Sequence, residues 1–340
     1  MTIEKRAFEN VKACLERGQR FVLTTHVNPD GDGLGSEAAL ALFLESLGKD
    51  AYIYNSSPVP ENYRFLDPEQ RMQVYDSNTH RETLLTADYI VVLDISDWNR
   101  LRQVGMDFRD VRIPKICIDH HPPYEKFGDI RLVDVEASST GEIVYELIKY
   151  CGGTFTREIA EALYVSILTD TGSFRFTNTT ANALRAAAEL VECGVNPQQI
   201  YRQVYERLPV TKVRLFGYVL SNLKFEQNGK VAWVAIPAEV MKSVGARQND
   251  TEGFADYPRV IEGVEVSLLF LEVDRNRTKI SFRSKGSVPV NVVAQKFGGG
   301  GHPFASGVLI EGKMEEYIPK VLEEVSRLFR ASKVEATVLR

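Results

Sequence analysis

"FVLTTHVNPDGDGLGSEAALALFLESLG", residues 21 to 48, reads as a strand, a polar turn and a helix. The β-branched apolar run 21–25 suits a buried strand, and the stretch from Ser36 to Gly48 has helical apolar spacing, with Ser36 as its N-cap and a glycine at its end. Between them one histidine, two aspartates and three glycines crowd into the eleven positions 26–36. In an open α/β sheet the loop at the carboxyl end of a strand is where ligands bind. Gly31, Gly33 and Gly35 are expected to let that loop turn tightly so that His26, Asp30 and Asp32 converge.

The same grammar recurs along the first half of the chain. "YIVVLD" ends a second apolar run on Asp94, "KICIDHH" ends a third on Asp119, His120 and His121, and "LYVSILTDTGSF" leaves Asp170 at a helix end. Helical segments separate these runs, among them "SSTGEIVYELIKYCGG", capped by Ser138 or Ser139, and "REIAEALYVSILTD". Alternation of this kind predicts α/β class with a parallel sheet whose strand ends share one edge.

Gathering Asp30, Asp32, Asp94 and Asp170 at one edge is costly, because like charges about 4 Å apart repel by roughly 4 kcal/mol at an effective dielectric near 20. Two divalent cations would balance the four carboxylates, with His26 and His120 supplying nitrogen and Asp94 as the bridge. Carboxylate and imidazole donors without thiolate suit Mn²⁺, with Mg²⁺, Co²⁺ or Zn²⁺ as substitutes. Paired ions of this kind activate water and clamp oxygens at phosphorus, so the expected chemistry is phosphoester hydrolysis. His121 is assigned to catalysis, contacting a phosphoryl oxygen or assisting proton transfer, and Asp119 to orienting a histidine.

The four motifs "HVNPDGDGLGS", "VVLDISD", "CIDHHPP" and "LTDTGSFRF" together resemble those of the DHH phosphoesterase superfamily, in order. "GGGGHPFASG" near the end resembles the signature of the DHHA1 substrate domain. The resemblance runs from about residue 20 to 330. It implies that His26, Asp30, Asp32, Asp94, His120 and Asp170 hold two Mn²⁺ ions, the set already reached from spacing and charge.

Past residue 190 the pattern changes. A polar helical stretch interrupted by Pro197 and Pro209 is read as a linker, giving a catalytic domain over 1–190, a linker over 191–212 and a smaller α/β domain over 213–340. In "VDRNRTKISFRSKG" the residues Arg275, Arg277, Lys279, Arg283 and Lys285 share one parity, against Thr278, Ile280 and Phe282 on the other, which predicts a strand with one basic and one apolar face. Most of these cations are expected to be edge-strand solvation, with Arg283 reserved for binding. The glycines at 299, 300 and 301 allow backbone N–H groups near an anion, with His302 adding a donor. The DHHA1 resemblance implies that Arg283, Gly299, Gly300, Gly301 and His302 bind the nucleotide end of a substrate, and Arg175 is a further candidate phosphate contact.

Composition narrows the substrate. A net charge of −5, with 26% charged residues, argues against a protein that coats long nucleic acid. No apolar run approaches the roughly 18 residues of a membrane helix, and the N-terminus reads as an amphipathic helix, so a cytoplasmic enzyme without membrane contact is expected. The four cysteines have no metal-knuckle spacing. The compact two-domain form resembles the bifunctional oligoribonuclease and 3′-phosphoadenosine-5′-phosphate (pAp) phosphatase family, which implies short RNA oligonucleotides and pAp as substrates. A soluble linear or cyclic dinucleotide phosphodiesterase and a non-catalytic nucleotide sensor are the alternatives, and the sequence leaves homodimer formation open.

Overall fold

The structure, a computed structural model, describes residues 5–338 apart from 96, 123–126 and 275, and only the backbone at 103 and 331–338. Arg275 of the basic strand face and Pro123 of "CIDHHPP" therefore lie outside the described residues. The chain divides into two compact units after Arg207.

In the first unit, β1 (Arg20–Thr24), β2 (Asp50–Asn55), β3 (Met72–Val74), β4 (Tyr89–Leu93), β5 (Lys115–Asp119) and β6 (Ile130–Val133) form one sheet in the order β3-β2-β1-β4-β5-β6. Every pairing is parallel. Helices cover both faces: α1 (Lys5–Arg17), α2 (Gly31–Ser46), α3 (Ser77–Leu85), α4 (Arg102–Asp110), α5 (Thr140–Tyr150), α6 (Arg157–Asp170), α7 (Ala181–Glu192) and α8 (Pro197–Tyr205). Alternate strand residues feed the two cores. Phe21, Leu23, Val91, Leu93, Ile116 and Ile118 pack with α1, α2 and α5 to α8, while Val22, Ile90, Val92 and Cys117 pack on the other face with Leu84, Val104 and Phe108. Strands buried on both sides must read as continuous apolar runs, which is why β1, β4 and β5 stand out in the sequence.

The stretch 191–207, read above as part of a linker, packs into this unit. Helix α8 places Ile200 and Val204, one helical turn apart, in the first core, so the proline at its first turn starts a docked helix rather than a free connection.

The second unit contains α9 (Val210–Ser221), β7 (Lys224–Glu226), β8 (Val231–Ile236), α10 (Ala238–Val244), β9 (Val266–Asp274), β10 (Arg277–Ser284), α11 (Asn291–Lys296), β11 (Gly300–His302), β12 (Ala305–Glu311) and α12 (Met314–Val338). Its mixed sheet runs β11-β12-β10-β9-β8-β7, with only β8 and β9 parallel. One face packs on α11 and α12 through Phe270, Ile280, Phe282, Val321 and Val325, and the other on α9 and α10 through Leu215, Val219, Leu269 and Leu271. Strand β10 alternates as its sequence predicts: Thr278, Ile280, Phe282 and Ser284 are buried, whereas Arg277 and Lys279 are exposed and Arg283 is half-buried. No helix of the described residues is long and apolar enough to cross a membrane.

Candidate active site

From β1 the chain builds outward through β2 and β3, and from β4 outward the other way through β5 and β6. The reversal opens a crevice at the carboxyl ends of β1 and β4. His26 lies two residues beyond β1, Asp94 directly follows β4, and Asp119, His120 and His121 end and follow β5. Asp170 is the last residue of α6.

The segment after His26 is not the glycine loop expected from sequence. Helix α2 already begins at Gly31, because the Asp30 carboxylate accepts from the N–H groups of Asp32 and Gly33 at 3.0 and 3.2 Å and so caps it. Ser36 is thus a helix-interior residue, and its hydroxyl donates to Asp32 Oδ1 at 3.3 Å. The glycines serve close packing. A Cβ at Gly33 would stand 2.4 Å from Thr25 Oγ1, and one at Gly35 would stand 2.4 Å from the carbonyl oxygen of Ala162 on α6. Asp94, by contrast, is held in the left-handed region at φ 63°, an unfavourable conformation for a residue with a Cβ and one that recurs at functional sites.

The six expected ligands come together as two groups that share Asp94. His26 Nε2 is 3.7 Å from Asp30 Oδ2 and 3.3 Å from Asp94 Oδ2. His120 Nε2 is 3.5, 3.6 and 3.7 Å from Asp32 Oδ2, Asp94 Oδ1 and Asp170 Oδ2. Each oxygen of Asp94 thus faces a different histidine. Donors bound at about 2.1 Å around one six-coordinate ion stand roughly 3.0 to 4.2 Å apart, from cis to trans positions, and the separations here fall in that span while exceeding ordinary hydrogen-bond lengths. His120 Nε2 is also buried with no hydrogen-bond partner, an arrangement that a cation would satisfy. His26 Nδ1 faces Val27 O at 3.0 Å, which places its proton there and leaves the Nε2 lone pair for an ion.

Charge supports the same fit. Burial, and next the charge of Asp32, push Asp94 well above the usual carboxylate range, and the same causes raise Asp170 to about 6. Burial lowers the His26 pKa, but Asp30 and Asp94 outweigh it and carry the imidazole to about 10. Protons on these groups relieve the repulsion that divalent cations would relieve in their place.

Residues that the sequence did not single out hold the carboxylates. Asp32 accepts from the N–H groups of Thr140 and Gly141 at 2.8 and 3.0 Å and from the Ser166 hydroxyl, so the positive end of α5 points at it. Thr140 Oγ1 donates to Asp94 Oδ1 at 3.1 Å, and Asn178 Nδ2 to Asp170 Oδ2 at 3.2 Å. Ser139, one of the two predicted caps, starts α5 by accepting from Glu142 N. Asp119 binds His121 Nδ1 at 2.8 Å and thereby raises the imidazole pKa to about 8. Arg175 is exposed, and its Nε–H is given to the carbonyl of Gly172.

In the second unit Arg283, Ala305 and His302 lie in one row, since Arg283 pairs with Ala305 across β10 and β12 and Ala305 with His302 across β12 and β11. Cross-strand partners share a face, so the two basic groups flank the small alanine. Gly300 has open space where a Cβ would go, whereas side chains at Gly299 and Gly301 would strike the carbonyls of Gly307 and Ala305.

Two family models match the chain: the DHH family N-terminal domain over residues 20–167 and the DHHA1 domain over 228–331. The chain belongs to the DHH family of phosphoesterases and is one of its enzymes. It is 36% identical over 304 residues to the bifunctional oligoribonuclease and PAP phosphatase NrnA of Thermus thermophilus, covering 89% of this chain and 88% of that one. A crystal structure of an exopolyphosphatase-related protein from Bacteroides fragilis superimposes with a TM-score of 0.86 at 32% identity, over 95% of this chain and 96% of the other. The cyclic-di-AMP phosphodiesterase PdeA of Listeria monocytogenes is 26% identical over 84% of this chain, which spans 43% of that longer protein.

Proposed function

We propose that this enzyme hydrolyses short oligoribonucleotides to mononucleotides and pAp to AMP and phosphate, with two Mn²⁺ ions held by His26, Asp30, Asp32, Asp94, His120 and Asp170. The observation that carries the reading is the division of Asp94 between two donor groups, one oxygen toward His26 and the other toward His120. The all-nitrogen-and-oxygen donor set suits manganese. Two such ions would supply charge neutralisation at the phosphoryl oxygens and a water that loses its proton near neutral pH.

The chain's own residues do the rest. Water forms the new bond to phosphorus as the ester oxygen leaves, and the water proton passes to that oxygen. His121 is held at Nδ1 by Asp119, which leaves Nε2 to contact a phosphoryl oxygen or deliver the proton. Thr140 and the start of α5 keep Asp32 and Asp94 in place. Arg283 and His302 take the nucleotide end of the substrate, and the whole chain's similarity to the Thermus NrnA supports short RNA and pAp as that substrate.

Product release from 5′-phosphorylated RNAs of two to about twenty nucleotides, from pAp and from a cyclic dinucleotide, with Mn²⁺ or with chelator, tests this reading. Mn²⁺-dependent cleavage that favours the shortest RNAs, with phosphate release from pAp, is the expected result. Preference for the cyclic dinucleotide would favour the signalling reading, which the likeness to PdeA supports. Tight nucleotide binding without turnover would indicate a sensor.

A further inference from the structure

Arg283 does not stand alone in the second unit. Its Nε–H lies 3.1 and 3.3 Å from the two oxygens of Asp256, and its Nη1 donates to the carbonyl of Phe282 at 3.0 Å. Asp256 in turn accepts from Arg259 Nη2 at 2.5 Å, and Arg259 Nη1 donates to the carbonyl of Ser284, the last residue of β10, at 3.2 Å. Asp256 and Arg259 belong to the short helical turn at Tyr257–Val260 and its cap, so two guanidinium groups from different elements meet on one carboxylate.

We infer that Asp256 is a positioning residue for Arg283, and that Arg259 is the counter-cation that keeps the group positive. A guanidinium has five N–H groups arranged as two forks. Asp256 occupies the Nε side, and Phe282 fixes Nη1. Among the described residues the remaining N–H groups of Nη1 and Nη2 take no protein partner, and they form the fork that grips a phosphate or carboxylate with two parallel bonds. Asp256 alone would neutralise Arg283. With Arg259 present, two positive charges face one negative charge, so an anion approaching the free fork meets net attraction.

Stability does not explain the cluster. All three side chains are partly exposed, at 28%, 39% and 33% for Arg283, Asp256 and Arg259, and ion pairs of that exposure contribute little to folding. Holding a long side chain in one rotamer before the ligand arrives, however, removes an ordering cost from binding. The ligand class is the phosphate of a nucleotide, and the inference rests on the assignment of Arg283 to nucleotide binding proposed above.

The charge and positioning roles of Asp256 predict opposite signs, which makes the test sharp. If the carboxylate only opposes an incoming anion, Asp256→Ala tightens binding. If it aims Arg283, the same change weakens it. We would measure KM and kcat on the 5′-phosphorylated diadenylate, and AMP binding by calorimetry, for the full chain with Mn²⁺ and its variants Arg283→Ala, Asp256→Ala, Asp256→Asn and Arg259→Ala. Melting temperatures would be compared in parallel. Charge-assisted bonds of this kind predict a KM about tenfold higher in Arg283→Ala and about five- to tenfold higher in Asp256→Ala, with kcat changed less than about twofold. Asp256→Asn, which keeps an acceptor for Nε, should recover part of the loss, and Arg259→Ala should also raise KM. An unchanged or lower KM in Asp256→Ala while Arg283→Ala is impaired would overturn the inference and leave the substrate reading standing. An unchanged KM in Arg283→Ala would overturn both.

Discussion

The Thr140 hydroxyl donates to Asp94 Oδ1 at 3.1 Å, while the backbone N–H of the same threonine donates to Asp32 Oδ2 at 2.8 Å. One residue at the first position of α5 thus ties together a carboxylate in the first turn of α2 and one at the end of β4.

Replacing Thr140 with valine removes the hydroxyl and keeps the shape and the backbone bond. Partners that orient ligands typically account for a factor of about 10 to 100 in metal affinity or activity. We expect Thr140→Val to bind Mn²⁺ at least about tenfold more weakly, read by the paramagnetic resonance of free Mn²⁺, with an unchanged melting temperature for the metal-free protein. Wild-type affinity would show that the hydroxyl does not support Asp94.

Gly35 allows α2 to touch α6, since an added Cβ would meet the Ala162 carbonyl at 2.4 Å. That neighbour is backbone and cannot swing away, so Gly35→Ala should destabilise the protein by about 1 to 3 kcal/mol despite the better helix propensity of alanine. Gly217 in α9 has no atom within 4 Å of its Cβ position. There Gly217→Ala should be neutral or stabilising by up to about 1 kcal/mol. Denaturant titration of both variants checks the contrast.

Glu37 lies fully buried on α2, where its Oε2 accepts from Asn55 Nδ2 at 2.8 Å and burial foremost raises its pKa to about 8. Between the ordinary carboxylate value and pH 8 the folded protein retains a proton that the unfolded chain releases. The slope of stability with pH is therefore negative across that window. The contribution is complete at pH 4 and lost as pH rises toward 8. Glu37→Gln, which cannot ionise, should become progressively more stable than the wild type from pH 5 to 8. Parallel melting curves for the two proteins would show that Glu37 ionises freely.

Much of this was legible in sequence for a definable reason. Strands β1, β4 and β5 are buried on both faces, and within two residues of their ends stand the acidic and imidazole side chains proposed as ligands, so strand and candidate ligand are visible in one short window. The glycines of residues 31–35 read as a turn in sequence although they pack a helix, because a turn and a tight helix contact leave the same local trace. Ala162, the partner that decides between them, lies over a hundred residues away. Thr140, Gly141, Ser166 and Asn178 were missed on similar grounds: each is an ordinary polar or small residue whose role exists only once distant elements meet. Asp256 carries no signal either, because its two arginines are brought to it by the strand and turn geometry of the second sheet.

The most direct test of the account is the number of Mn²⁺ ions bound per chain at equilibrium, measured for the wild type and for Asp94→Ala alongside turnover of a dinucleotide. With Asp94 facing His26 through one oxygen and His120 through the other, the account predicts two ions in the wild type, at most one tightly held in the variant, and no turnover without the bridge. A single ion in the wild type, or an Asp94→Ala enzyme that still turns over, would contradict it.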